Sequence, residues 1–267
     1  MVDSIRLYLR YVSISIRGQM EYRASFVMMA LGQFAFASTE FLCIWAMFDR
    51  FKNLRGWTLP EAALLYGIVN VAFSLSEAVT RGFDVFGNMV KSGDFDRLLL
   101  RPRGTVLQLM GQELQLMRVG RLAQGLVVLA WAVGAVDLAW TPAKAGLMFA
   151  SVVGGACMFG GLFALQATMA FWTVESLEIA NTVTYGGVET AQYPLSIYSS
   201  WFRKFFTYMI PLAFVNYFPA LAILGKPDPF GAPVFLGWLA PVAGLAFLMV
   251  SLQAWKVGVR HYCSTGS

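Results

Sequence analysis

The chain has 267 residues, of which 58% are hydrophobic and only 13% are charged, about half the charged share of a typical soluble domain. Its mean hydropathy is +0.61, and its net charge at neutral pH is +5. This composition excludes an ordinary soluble domain and predicts an all-α integral membrane protein. The positive charge is then expected to face anionic lipid, and no nucleic-acid partner is expected.

The first predicted element is an amphipathic helix within residues 1–23. Apolar residues recur at offsets of 4, 7 and 11 from Ile5, and arginine or serine takes the same offsets from Arg6. This pattern favours an interfacial helix that lies in the plane of the lipid headgroups. A cytoplasmic extension of the first membrane span is the alternative interpretation.

Six apolar runs are long enough to cross a bilayer, since about 20 residues at about 1.5 Å each span a hydrocarbon core of about 30 Å. These predicted spans are Ala24–Phe48, Ala62–Val79, Leu122–Leu138, Ala145–Thr173, Phe205–Leu224 and Pro233–Trp255. With the N-terminus inside, 15 of the 20 Lys and Arg residues fall on the inner side, Arg203 and Lys204 among them. Both termini are therefore predicted to face the cytoplasm. We interpret residues 1–267 as a single domain.

The longest charged connection, residues 80–121, lies between the second and third spans. Phe86 and Val90 are four residues apart, which places them on one face of a short helix. Lys91 suits the last turn of that helix, and Gly93 can take the positive φ that ends it. The sequence therefore predicts a short helix beneath the membrane.

The stretch that follows this helix surrounds an aromatic side chain with charges. Its residues are Asp94, Phe95, Asp96 and Arg97, with Arg101 and Pro102 soon after. An aromatic knob flanked by charges suits docking into a groove on a soluble partner. A basic connector that only anchors the two spans at the membrane surface is an equally open interpretation.

Within the predicted spans, Glu40 is the costly residue, because a carboxylate in lipid is expensive and marks a functional hypothesis. It could line a substrate path, or it could bind a polar group of another helix and so tie two helices together. A proton site in an ion-coupled secondary transporter is the alternative function. Pro211 and Pro219 are expected to kink or interrupt the fifth span.

Motifs of several enzyme classes are absent from the sequence. His261 is the only histidine, and the three cysteines show no spacing of metal ligands. The Gly225-Lys226 pair does not fit a phosphate-binding loop. No catalytic or metal-binding residue is predicted, and the chain is expected to bind no cofactor of its own.

Two stretches resemble motifs of type-2 ABC (ATP-binding-cassette) exporter permeases, in a six-span bacterial branch. The run from Gly93 to Pro102 is similar to that branch's G-x-[FL]-D-x-x-L-x-[RK]-P signature. The run from Tyr193 to Pro219 is similar to its Y-P-L…I-P-[LF]-A-F-x-x-x-x-P pattern. The resemblance extends over the whole chain in the number and order of its spans.

The resemblance implies a permease subunit of the bacterial cytoplasmic membrane that moves an amphipathic or lipid-like molecule outward. ATP and Mg²⁺ would bind two separate ATPase subunits, and a second permease, identical or homologous, would complete the transporter. The loop between spans two and three would carry a coupling helix. The residues expected to contact the ATPase are Phe86, Val90, Lys91, Gly93, Asp94, Phe95, Asp96, Arg97, Arg101 and Pro102.

The resemblance also implies roles for the second half of the chain. An external gate would form around Pro211, Asn216 and Pro219, with Glu40 as a further candidate for the substrate path. The segment Val174–Lys204 is expected on the cytoplasmic side. It would serve either as a connector or as a second contact with the ATPase.

Overall fold

The computed structural model describes residues 2–112, 115–173 and 177–263, which are almost entirely helical. The α-helices are α1 (Val2–Met20), α2 (Arg23–Phe51), α3 (Leu59–Asp84), α4 (Phe86–Ser92), α5 (Asp94–Leu99), α6 (Thr105–Gln112), α7 (Val119–Ala135), α8 (Pro142–Met169), α9 (Leu177–Ala191), α10 (Ser200–Lys204), α11 (Tyr217–Leu224) and α12 (Phe235–His261). Leu116–Arg118, Leu195–Ile197 and Leu212–Phe214 form 3₁₀ turns, and Phe205–Met209 forms a π-helical turn.

Five stretches of the described residues are long and apolar enough to cross a bilayer. They are Arg23–Phe51, Leu59–Ser92, Leu116–Ala135, Pro142–Met169 and Phe235–His261. The predictions of an all-α membrane protein, of the first four spans and of the last span are confirmed. We call the end of the bundle that carries α1 and the last residues of α12 the termini face, and the other end the hairpin face.

The N-terminal helix is separate from the first span, as predicted. A turn at Glu21 and Tyr22 divides α1 from α2. A Cβ atom added at Gly111 would lie 2.6 Å from the ring of Tyr11, so that α1 packs closely on α6. The side chain of Gln19 also accepts a hydrogen bond from the backbone N–H of Leu116 at 3.0 Å. These contacts hold α1 against the termini face.

The fifth predicted span, Phe205–Leu224, is wrong, because this stretch enters and leaves the bundle on one face. Before it, the carbonyl of Ser196 accepts a hydrogen bond from the Arg55 guanidinium at 2.7 Å. After it, the Lys226 ammonium donates to the carbonyl of Gly56 at 2.7 Å. Arg55 and Gly56 lie in the connection between α2 and α3, on the hairpin face.

We call residues 200–224 the hairpin. Its two halves, Ser200–Met209 and Leu212–Leu224, are bent by 78°, and Pro211 lies at the break, as the sequence predicted. A Cβ atom added at Gly155, near the middle of α8, would lie 2.8 Å from Val215. The hairpin therefore reaches about half of the way into the bundle and returns.

Helix α9 crosses the bundle in place of the hairpin. Near its middle, the Tyr185 hydroxyl donates a hydrogen bond to Asp84 at the end of α3, at 3.0 Å. At its last residue, the carbonyl of Ala191 accepts a hydrogen bond from the Asn216 side chain, which also donates to the carbonyl of Leu65 near the start of α3. Its 15 residues cover about 22 Å, and the following turn reaches the hairpin face.

The prediction that Val174–Lys204 lies on the side of the termini is therefore wrong, although residues 174–176 lie outside the described residues. Arg203 stacks on Phe230 in the connection between α11 and α12, on the hairpin face. Lys204 follows it in α10. Both cations belong to the face opposite the termini, because the chain crosses at α9, before them, and not at the hairpin that follows.

Close helix contacts surround α3 and α8 in the centre of the bundle. A Cβ atom added at Gly244 of α12 would lie 2.0 Å from the carbonyl oxygen of Gly154 in α8, so only glycine fits there. One at Gly67 of α3 would lie 2.8 Å from the Cβ of Leu129 in α7. Without a hydrophobic driving force inside lipid, such close packing is a main source of association between helices.

Candidate functional site

The connection between α3 and α6 folds as a compact elbow, defined here as residues 85–104. Helix α4 ends at Gly93, whose φ of 73° confirms the predicted positive value. Lys91 lies in the last turn of α4. Phe86 and Val90 are buried on its inner face. The predicted short helix is therefore present, with its apolar stripe against the bundle.

Phe95 is the first site residue for which the prediction is wrong, because its side chain is not an exposed knob. It is 0% exposed, and its ring centroid lies 4.9 Å from that of Phe86 and 5.0 Å from that of Tyr262. It belongs to an aromatic cluster beneath the elbow. The members of this aromatic cluster are Phe83, Phe86, Phe95, Phe171, Trp255 and Tyr262.

The exposed apolar residues of the elbow are leucines that the sequence analysis did not single out. Leu100 is 86% exposed and Leu99 is 42% exposed, whereas Leu98 is buried. Three consecutive leucines at the end of a helix of 6 residues cannot all face inward. This constraint could have indicated from the sequence that at least one leucine is exposed. The outermost point of the elbow is therefore aliphatic.

Charged residues surround this aliphatic tip. Arg97 is exposed and lies 3.6 Å from the carboxylate of Asp94, and Asp96 is half-buried. Lys91, Arg101 and Pro102 are also exposed. A groove of about 540 Å³, lined in part by Tyr11 of α1, Arg97 and Arg101, separates the elbow from the N-terminal helix. The predicted polar residues of the elbow therefore do reach its surface.

Glu40 is paired inside the bundle. Its carboxylate lies 3.2 Å from the guanidinium of Arg121 in α7 and accepts a hydrogen bond from Gln192 at 3.1 Å. Arg121 also donates to the side-chain oxygen of Asn70 in α3 at 2.9 Å. This geometry agrees with the interpretation that Glu40 ties helices together.

A second ionic group lies nearer the termini face. The guanidinium of Arg118 lies 2.6 Å from the carboxylate of Glu77, which is fully buried. Arg81 forms ion pairs with Glu77 and Asp84, and the Tyr185 hydroxyl donates to Asp84. These contacts join α3, α7 and α9 through paired charges, which lipid alone would not tolerate.

From the sequence, Arg118 and Arg121 count only among the 15 inner-side cations that set the orientation. In the structure they lie three residues apart at the start of α7, so they share one face of that helix and point at Glu77 and Glu40. The signal was available, because each intramembrane carboxylate needs a cation nearby. Arg118 and Arg121 were the nearest cations to the start of the third span.

We call the space between α2, α7 and α9 the cleft. It holds a cavity of about 330 Å³. The residues that line the cavity are Gln33, Phe36, Glu40, Arg118, Arg121, Tyr185, Val188 and Glu189. Both charge signs and two apolar side chains therefore face one open volume at membrane depth.

The predicted gate residues lie in the hairpin, away from the cleft wall. Asn216 is buried and fixes the hairpin to α3 and α9 through the two hydrogen bonds described above. Pro219 is buried in α11, and Pro211 is half-buried at the bend. The structure therefore places Asn216 beside the last residue of α9. Glu40 lies apart from the hairpin residues and contacts Gln192, the residue that follows α9.

Comparison with known proteins gives one finding. The family described as ABC-2 family transporter protein matches residues 34–266, which is most of the chain. No curated protein and no solved structure matches.

Proposed function

We propose that this chain, which belongs to the ABC-2 transporter family, is the permease subunit of an exporter driven by ATP hydrolysed on two separate ATPase subunits. As an ABC transporter permease it is a multi-pass membrane component. The proposal adds a docking surface for the ATPase, a second permease and an amphipathic or lipid-like cargo that moves outward. ATP and Mg²⁺ would bind the ATPase subunits, and the permease itself would do no chemistry.

The elbow is the observation that carries the ATPase assignment. An aliphatic tip that is 86% exposed at Leu100 is costly in water and typical of a binding surface. The exposed cations Arg97 and Arg101 flank it, and such charges favour encounter with an acidic partner. We therefore expect Leu99 and Leu100 to enter a groove on the ATPase, with the charged residues at its rim.

The buried residues of the elbow have a different role in this proposal. Phe86 and Phe95 pack against Trp255 of α12, so that the elbow is fixed to the last span. The indole N–H of Trp255 also donates to Thr105 at the start of α6, at 3.0 Å. A push on the tip would therefore move α3, α6 and α12 together, as a rigid lever requires.

The polar side of the bundle supports a second permease. Thr39 on α2 and Glu189 on α9 are exposed although both lie between the two faces, and Gln33 is only half-buried. The hydroxyl of Thr39 is bonded to the carbonyl of Ala35, but an exposed carboxylate is costly against lipid tails. We infer that a second permease, identical or homologous, covers α2 and α9, and that the two cleft walls enclose a hydrated path for the cargo.

The orientation in the membrane follows from charge. Because the structure places Arg203 and Lys204 on the hairpin face, 13 of the 20 Lys and Arg residues are on the termini face, two fewer than the sequence predicted. This excess favours a cytoplasmic location of both termini and of the elbow, in the cytoplasmic membrane of a bacterium. The hairpin would then lie on the outer side, where Pro211, Asn216 and Pro219 would form the gate.

The structure offers no specific support for an ion-coupled secondary transporter. Glu40 is already bound to Arg121 and Gln192, so that its negative charge is neutralised within the bundle. Inverted repeats, which such transporters often contain, are not evident in the helix order of the described residues.

The test is affinity purification of the tagged chain from its native membrane in mild detergent, followed by mass spectrometry. We expect an ATPase with a phosphate-binding loop to co-elute. Leu100→Asp should reduce its recovery at least about tenfold, because a buried carboxylate without a partner is costly at an interface. The matched control Leu100→Met keeps an apolar tip and should retain the ATPase. If both variants recover as much ATPase as the wild type, the docking assignment is wrong. If no ATPase co-elutes with the wild type, the proposed function is wrong.

A further inference from the structure

We propose that the cleft binds the cationic group of an amphipathic cargo and that Glu189 is its counter-ion. This inference rests on the proposed export function. It adds the charge of the cargo, which membership of the family does not give.

The two cations of the cleft are already neutralised. The guanidinium of Arg121 lies 3.2 Å from Glu40 and 2.9 Å from the Asn70 side chain. The guanidinium of Arg118 lies 2.6 Å from Glu77. An anionic cargo would have to compete with these carboxylates, so neither arginine is a ready site for it.

Glu189 is the exception among the charges of the cleft. It is exposed and lines the cavity, and within the described part of the chain it forms no ion pair. The cleft and the adjoining ionic group together carry one negative charge in excess, because the carboxylates of Glu40, Glu77, Asp84 and Glu189 face the guanidiniums of Arg81, Arg118 and Arg121.

The depth of Glu189 makes that excess significant. Tyr185, four residues earlier, reaches the end of α3 on the termini face, and Ala191, two residues later, is level with Leu65 near the hairpin face. A carboxylate between these levels is expensive unless water or a cation accompanies it. A positively charged group of the cargo would supply the missing partner.

The cavity also provides for an apolar body. Phe36 is 65% exposed and lines the cavity beside Val188. The volume of the cavity, about 330 Å³, is at the lower end of the range for ligand sites. It is enough for a charged head group and the first part of a hydrocarbon chain. The exposed apolar side of α2 continues from this point, at Met28 and Met29. Charge and apolar surface are thus arranged as an amphipathic cation would require.

The experiment measures dye binding to the purified transporter complex in nanodiscs by fluorescence anisotropy. The probes are rhodamine 6G, a lipophilic cation, and 8-anilinonaphthalene-1-sulfonate, a lipophilic anion. We expect the wild type to bind the cation more tightly, and Glu189→Gln to raise the Kd for the cation about tenfold, which corresponds to about 1.4 kcal/mol. The Kd for the anion should stay the same or fall. Glu189→Asp, which keeps the charge, should retain most of the affinity for the cation.

The matched control is Glu21→Gln, the same chemical change at an exposed residue between α1 and α2, and it should alter neither Kd. Equal binding of the cation by the wild type and Glu189→Gln would overturn the inference, as would a wild type that prefers the anion or binds neither dye. Unchanged dye affinity would overturn it even if the oligomeric state shifted, since Glu189 would then contact the second permease and not the cargo. Recovery of the ATPase with the wild type tests the proposed function separately, because it does not depend on the dyes.

Discussion

The two sides of this bundle are held together by different forces. On one side, α3, α8 and α12 pack through glycine contacts and an aromatic cluster that includes the fully buried Phe95. On the other side, ion pairs join α7 to α2 and to α3 around a cavity that α9 also lines. Close packing of this kind permits one arrangement of helices, whereas paired charges next to an open volume can exchange partners. The comparison suggests that the first side transmits force and the second side changes shape.

The largest effect is expected where the packed side meets the elbow. Phe95→Ala should lower the free energy of unfolding by about 3–5 kcal/mol, because it removes a fully buried aromatic ring. Thermal unfolding in detergent, followed by tryptophan fluorescence, measures the change. Leu100→Ala, at the exposed tip, is the control and should change stability by less than about 0.5 kcal/mol. Equal losses of unfolding free energy in both variants would contradict the assignment of Phe95 to the core and of Leu100 to the surface.

A smaller loss is expected from the closest helix contact. Gly244→Val would place a side chain against the backbone of Gly154 and should cost about 3 kcal/mol, because α8 and α12 must separate. Size-exclusion chromatography after heating reports the loss of folded protein. The control is Gly146→Val in α8, where a Cβ atom meets nothing within 4 Å. A Gly244→Val protein as stable as that control would contradict the assignment of rigid packing to this side.

On the ionic side, a double-mutant cycle with Glu40→Gln and Arg121→Gln should give a coupling energy of about 1–2 kcal/mol. The pair is largely buried, with side chains 21% and 11% exposed, and contacts of this kind couple by amounts in this range. The same thermal assay measures all four proteins. Additive losses would mean that the ion pair contributes nothing specific to the cleft.

The smallest effect is expected on the hairpin face, from Lys226→Gln. Its ammonium lies 2.6 Å from Glu61, and the Lys226 side chain is 32% exposed, so the pair should contribute at most about 1 kcal/mol. The contribution should also decrease in high salt, because exposed charges are screened. A stability loss that does not depend on salt would instead indicate that Lys226 acts through its hydrogen bond to Gly56.

The sequence was sufficient to predict the membrane spans wherever the apolar run was long and uninterrupted. The first four spans and the last one follow from long apolar runs, and the end of α4 follows from Gly93. It failed at α9, because three polar residues interrupt the apolar pattern there. In the fold, Thr184 and Tyr185 bind Gln166 and Asp84, and Glu189 faces the cavity. The sequence also mistook the apolar hairpin for a span, since length and hydropathy cannot distinguish a stretch that crosses from one that returns.

The candidate site was predictable in part for similar reasons. The spacing of Phe86, Val90 and Gly93 predicted the short helix that the structure contains, and the predicted cations Lys91, Arg97 and Arg101 are exposed on the elbow. The direction of Phe95 was not predictable, because its packing partners Phe171 and Tyr262 lie far away in the sequence. Glu40 was recognised as important from its cost in lipid alone. Its partner Arg121 is 81 residues away, and only the packing of α2 on α7 identifies it.

The returning hairpin has a consequence for how this architecture can vary. A segment that begins and ends on the same side of the membrane does not change the number of times that the chain crosses it. Residues 200–224 could therefore be lengthened, shortened or exchanged without inverting α12 or relocating the C-terminus. Variation in the hairpin can in this way accumulate independently of the elbow on the opposite face.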